Sequence, residues 1–353
     1  MQRPKTNVAA VVLAAGRSRR FGSPKQLARL GAGMTMLDAV VRSADRAGLE
    51  PIIAVLPPGV PAPSGTFGVE NDRPEEGLSR SVRLGIAALP QHVQAAIILL
   101  GDQPTVGPDR LAGLVGARGA RPVVASMDER GLLAPPVLLE RAAFALVETL
   151  SGDSGLRELL GERAELVEPV IVTAHAPDVD TPADLAIRIQ RCPGCGGIFA
   201  TAPDVPAHAY IGASTGCWRA YTELLAREYG DARFGRVHRH TVDVYAAQHP
   251  GTDGRRQRQS VALHLIAICH WLEHGLGPIE LTPHTQRLAH AAADWPWLTP
   301  PTEYEMDVRD VLAARDGEEH AQLVRAWAVS VWAAWSAHHA IVRRWAADAL
   351  REG

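Results

Sequence analysis

Eight consecutive apolar residues, Val8–Ala15, run without a break into a loop bounded by glycines and crowded with arginine. A strand that is apolar at every position has no face to give to water, so it must be covered on both sides. The chain that follows supplies the cover. Met36–Ala47 shows helical spacing through Leu37, Val40, Val41 and Ala44, with Gly48 as its stop. Pro51–Leu56 reads as a strand, Ser79–Leu89 as a helix with Ser79 as N-cap, and Ala95–Leu100 as a second fully apolar strand ended by Gly101-Asp102-Gln103-Pro104. Helix-like Pro108–Ala117, strand-like Pro122–Ser126, helix-like Leu139–Leu150 and strand-like Leu166–Val172 continue the alternation. Thr181–Gln190 closes it, with Pro182 in the first turn of a helix. Such alternation predicts an α/β fold with a mostly parallel sheet covered on both faces. In sheets of that kind ligands bind at the carboxyl ends of the strands, beside a topological switch point.

The pattern stops near Gln190. The chain has 353 residues, long enough for two domains. All four cysteines (Cys192, Cys195, Cys217, Cys269), all eight tryptophans and twelve of the fourteen histidines follow residue 190. We therefore expect domains at 1–190 and 191–353, the second mainly α-helical. The net charge of -3, with both signs mixed, argues against a broad nucleic-acid footprint. Val8–Ala15 is too short for a signal peptide. Ala326–Val342 carries Ser336, His338 and His339 and is short for a bilayer span. A soluble, cytoplasmic protein with no membrane association is expected.

The loop is Leu13-Ala14-Ala15-Gly16-Arg17-Ser18-Arg19-Arg20-Phe21-Gly22-Ser23-Pro24-Lys25-Gln26-Leu27. Ala14, Ala15 and Gly16 let a ligand approach the backbone closely, and Gly16 and Gly22 permit turns. Backbone N–H groups in such a loop point at phosphate oxygens. Arg20 offers a planar fork and Lys25 a point charge. The chain has 34 arginines but only two lysines, Lys5 and Lys25, so a lysine in this loop stands out. The loop lacks the Gly-Lys-Ser/Thr ending of a Walker motif. Asp102, at the end of an apolar strand, suits Mg²⁺, which takes one or two carboxylates together with phosphates and waters. Its bland alternative is a turn residue bonding its own backbone. Asp180 is a second metal-ligand candidate, or else a pre-helix turn acid.

This loop resembles the signature loop of the MobA-like nucleotidyltransferases, and with Leu-Ala-Ala-Gly it is closest to their molybdenum cofactor cytidylyltransferase branch. Further motifs agree in order: Gly77-Leu78-Ser79-Arg80-Ser81-Val82-Arg83-Leu84-Gly85, Leu99-Leu100-Gly101-Asp102-Gln103-Pro104, Gly152-Asp153-Ser154-Gly155 and Asp178-Val179-Asp180-Thr181-Pro182. The resemblance implies a three-layer Rossmann-like domain. It implies transfer of a nucleoside monophosphate, CMP from CTP, to a phosphorylated acceptor such as molybdopterin, with loss of pyrophosphate. A molybdoenzyme or its maturation factor would be the protein partner. By position, Leu13, Ala14, Ala15 and Gly16 would line the nucleotide site, with Ser79 and Gly101 in the same set. Arg20 and Lys25 would contact phosphates, Asn71 would sit near base or ribose, and Asp102 would hold Mg²⁺. One departure concerns the acceptor side: Gly131-Leu132-Leu133-Ala134-Pro135-Pro136 stands where relatives often have Gly-His-Pro or Gly-Asn-Pro.

An acceptor that already carries a phosphate needs alignment and charge relief more than a base. The scarcity of histidine before residue 190 agrees with this. Arg80, Arg83 and Ser81 are either acceptor contacts at a helix start or a solvated face. Competing readings are transfer to a sugar phosphate or another small molecule, and a non-catalytic nucleotide sensor whose second half grips a partner.

In the second half, Cys192-Pro193-Gly194-Cys195-Gly196-Gly197 has the spacing and glycine turn of a zinc knuckle. Cys217 and His208 are the nearest complements for a Cys₃His zinc site, with His240, His249 and His264 as rivals; the other reading of the cysteine pair is redox, for which no thioredoxin-like strand–motif–helix setting is evident. Cys269 is expected in the core. Helices are expected over Cys217–Glu228, Val237–Gln248, Gln259–His274 and Glu318–Leu350. Asp243, Gln248, His249 and His264 are read either as a polar site beside a helix or, equally, with His249-Pro250-Gly251 as the end of one. Residues 192–265 also resemble an uncharacterised bacterial domain, on Cys-Pro-Gly-Cys-Gly, Gly212-Ala213-Ser214-Thr215-Gly216-Cys217-Trp218 and Val242–Gly251.

Overall fold

The computed structural model describes residues 7–351 except 17, 19, 31–32, 153–154, 173–174, 178, 278–279 and 281–293. The chain divides into two compact units, Met1–Gln190 and Arg191–Gly353.

The first unit is built on β1 (Val8–Leu13), β2 (Ile52–Leu56), β3 (Phe67–Glu70), β4 (Ala95–Leu100), β5 (Val123–Met127), β6 (Leu133–Glu140) and β7 (Val167–Ile171). They form one sheet in the order β3-β2-β1-β4-β6-β5-β7. Only β6 runs against the others. Every residue of β1 is buried, and alternate ones serve opposite layers. Val8, Ala10 and Val12 pack with Leu37, Val40 and Ala44 of α1 (Met36–Arg46) and with Leu111 and Leu114 of α3 (Pro108–Gly116). Ala9, Val11 and Leu13 pack with Val82 of α2 (Leu78–Ala87) and Leu156 and Leu160 of α4 (Gly155–Glu162). The result is the three-layer, mostly parallel α/β architecture expected of a strand apolar throughout. Helix α2 lies so close to β1 that a Cβ on Gly85 would stand 2.2 Å from Val11 Cγ1.

Two expectations fail locally. The helix expected over Leu139–Leu150 starts two residues later and is of 3-10 type, Arg141–Thr149. Its first two residues, Leu139 and Glu140, instead end β6, where Leu138 and Leu139 pair with both β4 and β5, a tertiary contact that outweighs helical spacing. Ser79 is not an N-cap: Gly77 holds that place, and Ser79 sits inside the first turn of α2.

Helix α5 (Pro182–Arg188) closes the first unit, and β8 (Ile189–Arg191), at the boundary, pairs in a hairpin with β9 (Ile198–Ala200). The second unit continues with α6 (Thr215–Gly230), α7 (Ala232–Gly235), α8 (His238–Gln248) and α9 (Arg255–His274). Its core gathers Trp327, Trp335, Tyr245, Leu265 and Val331. The expected long helix over Glu318–Leu350 is two, Gly317–Ala334 and His339–Arg351, separated at Trp335 and the 3-10 turn Ser336–His338. The break turns Trp335 inward, where it is fully buried and its Nε1 donates to Ala247 O at 3.2 Å.

Candidate active site and metal centre

From β1 the sheet grows through β2 to β3 on one side, and from β4 through β6 on the other, so the switch point lies between the carboxyl ends of β1 and β4. A cleft of about 520 Å³ opens there. Leu13, Ala14, Ala15 and Gly16 form its floor, with Arg20, Lys25, Asp102 and Asp180 around it.

The loop is held by its own side chains. Ser18 adopts φ +46°, which turns its hydroxyl inward to accept the Lys25 N–H at 3.0 Å. The Ser18 hydroxyl donates to Gln26 Oε1 at 3.4 Å. Gln26 is buried, and its Nε2 donates to Ala14 O at 2.7 Å. The carbonyl just after β1 and the serine in the bend are thus tied to one amide.

The charges converge. Lys25 Nζ lies 2.6 Å from Asp102 Oδ2 and 3.8 Å from Asp180 Oδ1, and it donates to Val179 O at 3.2 Å. Arg20 reaches Asp180 Oδ2 at 2.8 Å. Asp102 is therefore aimed across the cleft at Lys25. Asp180 is free for Arg20 and Lys25 because Thr181 takes the N-cap of α5: its Oγ1 accepts from Asp184 N at 3.1 Å, and Asp184 Oδ2 accepts from Thr181 N at 2.9 Å. Two carboxylates facing one ammonium could hold a divalent cation in its stead.

In the second unit, Cys192 and Cys195 lie in the turn between β8 and β9, Cys217 in the first turn of α6, and His249 at the C-cap of α8. Their donor atoms all lie within 4.8 Å of one another, and all four residues are buried. His249 Nδ1 is 2.8 Å from Tyr245 O and so carries the proton, leaving the Nε2 lone pair facing Cys217 Sγ at 3.3 Å. Burial raises the Cys195 and Cys217 thiols well above their ordinary pKa, whereas hydrogen bonds from Cys195 and Cys217 draw Cys192 down. The donor set could hold a metal ion. His208, the expected fourth ligand, is not part of it. It is exposed, and its Nδ1 accepts from the N–H groups of Tyr210 and Ile211 at 3.1 and 3.0 Å, in a local turn. His249 takes its place.

Residues 10–170 match the family described as MobA-like NTP transferase domain. The first unit belongs to that family. Among solved structures, Rv0371c from Mycobacterium tuberculosis H37Rv is 30% identical over 51% of this chain and 95% of that one, with a TM-score of 0.45. Its manganese complex aligns at 28% identity over 53% and 97% of the two chains, with a TM-score of 0.44. The inositol-1-phosphate CTP transferase from T. maritima aligns at 19% identity over 52% and 93%, with a TM-score of 0.41. Residues 190–336 match a family of unknown function, DUF5946. No curated protein matches the chain.

Within the MobA-like unit, three expected nucleotide contacts lie off the cleft wall. Asn71 is fully buried: its Nδ2 donates to Ser81 Oγ at 2.9 Å, and its Oδ1 accepts from Arg73 N and Arg80 Nε at 3.1 and 3.0 Å. It supports Ser81, which does line the cleft. Ser79 is buried with its N–H donating to Gly152 O at 3.1 Å. Gly101 lies under the loop, its N–H donating to Leu13 O at 2.9 Å. Arg80 is engaged by Asp72 at 2.6 Å and Glu76 at 3.2 Å, and Arg83 donates to Leu150 O at 2.6 Å. Arg17, Arg19, Asp153, Ser154 and Asp178 lie outside the described residues. Gln26 was not singled out, although it stands beside Lys25. A buried amide in a phosphate-type loop leaves no periodic signal.

The polar site expected at Asp243, Gln248, His249 and His264 separates into three arrangements. Asp243 bonds His264 Nδ1 at 2.8 Å and Arg239 at 3.2 Å. Gln248 joins Met306 O and Trp327 Nε1, at 2.8 and 3.1 Å. His249 faces the cysteines. Cys269 is buried, with its thiol pushed up to about 12.

Proposed function

We propose that the first unit transfers CMP from CTP to the phosphate of a molybdopterin-type acceptor. An acceptor phosphate oxygen forms the new bond to the α-phosphorus, the α–β bridging bond breaks, and pyrophosphate leaves with its electron pair. Asp102 and Asp180 would hold Mg²⁺, which supplies charge neutralisation at the triphosphate. Lys25 and Arg20 would meet the charge building on pyrophosphate, while Ala15 and Gly16, just past the Ala14 N–H that donates to Val55 O at 2.8 Å, would offer backbone N–H groups to the nucleotide. The convergence of Arg20, Lys25, Asp102 and Asp180 on one cleft at the switch point is the observation that supports this reading most. The Leu-Ala-Ala-Gly start of the loop favours cytidine. A cytoplasmic setting, with a molybdoenzyme or its maturation factor receiving the product, goes with this acceptor. No described helix is long and apolar enough to cross a membrane.

The test incubates the full chain with Mg²⁺, each of the four nucleoside triphosphates, and molybdopterin or sugar phosphates, and measures pyrophosphate. Release with CTP and molybdopterin is expected. Preference for GTP overturns the base, release only with a sugar phosphate overturns the acceptor, and no release with any pair overturns catalysis. We further propose that the soft donors Cys192, Cys195, Cys217 and His249 select zinc in the second unit.

A further inference from the structure

We infer that the Cys192–Cys195–Cys217–His249 centre is a closed structural staple on which the fold of the second unit depends. The inference rests on the zinc reading and goes beyond it by assigning the ion a task.

The ligands come from three separate pieces of chain. The β8–β9 turn supplies two, the start of α6 one and the end of α8 one. One ion would therefore fix a hairpin and two helix ends at a single point. Cys192, Cys217 and His249 are fully buried and Cys195 is 3% exposed, so an ion bound there would take four protein ligands and be shut off from water. A catalytic zinc keeps an open position for water or substrate, and a structural one does not.

The surroundings are shaped to hold these ligands still. Tyr245 O fixes the His249 tautomer at 2.8 Å, and the Tyr245 hydroxyl lies 3.5 Å from Cys217 Sγ. The Ser214 N–H donates to Cys192 Sγ at 3.4 Å, and Ser214 Oγ caps α6 by accepting from Cys217 N at 3.2 Å. Gly194 sits where a Cβ would come within 2.5 Å of His249 Cδ2 and 2.7 Å of Gly212 O, so the turn can close over the histidine only with glycine there. Tyr245 carries the arrangement into the core by stacking on Tyr221 at 3.6 Å and meeting Trp327 edge-on at 6.2 Å. Three thiols without a cation face one another in a space that excludes water. The apo state of this site is thus a cluster of buried polar groups in the middle of the core, which favours unfolding.

The test uses the full chain and exploits the placement of every tryptophan after residue 190, which makes their emission a reporter of the second unit alone. The expected result is one zinc per chain by elemental analysis. Zinc removal by a chelator should shift tryptophan emission to the red and abolish its cooperative thermal transition, with recovery on adding zinc back. His249→Ala should lose the metal, whereas His208→Ala should retain one zinc and the wild-type transition. A metal-free wild type with native emission overturns the zinc reading. Stoichiometric zinc whose removal leaves emission and transition unchanged overturns the staple while leaving the zinc reading in place. Gly194→Ala is a second check: it keeps all four ligands, and zinc loss in it would show that the turn sets the geometry.

Discussion

At the scale of single residues, the first unit turns on Lys25. Its ammonium balances Asp102 and Asp180, and it is the only lysine among the described residues of the cleft. Lys25→Ala is expected to lower kcat/KM for the triphosphate by about 10²-fold, the cost of removing one preorganised stabilising group, as read from initial pyrophosphate release. Asp102→Asn should lose activity by a similar factor and weaken Mg²⁺ dependence. The same ion pair sets a second expectation. A divalent ion arriving alone must displace the ammonium from both acids, whereas triphosphate draws it toward phosphate. Metal affinity measured calorimetrically should rise when a non-hydrolysable CTP analogue is present, and nucleotide affinity should rise by the same factor with metal. Equal metal affinity with and without nucleotide would dispose of this coupling. Much of the cleft was legible in the sequence because small residues, glycines and a rare lysine follow an apolar strand. Asn71 was not, because only the structure shows that its amide is consumed by Ser81, Arg73 and Arg80. His208 and His249 were indistinguishable by spacing. Which of them meets the cysteines depends on where α8 ends.

At the scale of elements, continuous apolar runs announced β1 and β4, and alternation announced the layers. What escaped was β6, whose Leu138 and Leu139 suit a helix equally well until two strands bracket them. The short β3, mostly exposed at the sheet edge, carries too little apolar pattern to be read. The close crossing of α2 over β1 gives an element-level prediction. Gly85→Ala adds helix propensity of about 1 kcal/mol, but its Cβ would stand 2.2 Å from Val11 Cγ1, buried in the sheet. The clash should prevail and destabilise the first unit by about 1–3 kcal/mol in urea unfolding followed through bound-nucleotide release. Adding Val11→Ala should recover part of the loss. A Gly85→Ala protein as stable as wild type would mean that helix and strand separate at little cost.

At the scale of the whole molecule, the uneven distribution of residue types announced two compact units, while the arrangement of helices in the second could not be read because their apolar stripes do not say which partner they meet. His240 gives that unit a pH response. It stacks on Trp271 at 3.7 Å, and burial holds it at about 4, below the ordinary 6.5, with Arg239 and Arg325 adding to the depression and Asp243 opposing it. Between those values the unfolded chain binds a proton that the folded chain refuses, so this stabilisation is complete above pH 6.5 and is lost as pH falls toward 4. The thermal midpoint of tryptophan emission should fall over that interval, by an amount corresponding to a few kcal/mol. The slope should be shallower in His240→Phe; an identical slope would assign the effect to other groups. The indole core of the second unit also has a practical consequence. Trp327 and Trp335 are sealed in its centre, and the nucleotide cleft belongs to a unit with no indole at all. Light emitted by tryptophan therefore reports on one half of the chain alone, and the folding of the other half passes unseen in that glow.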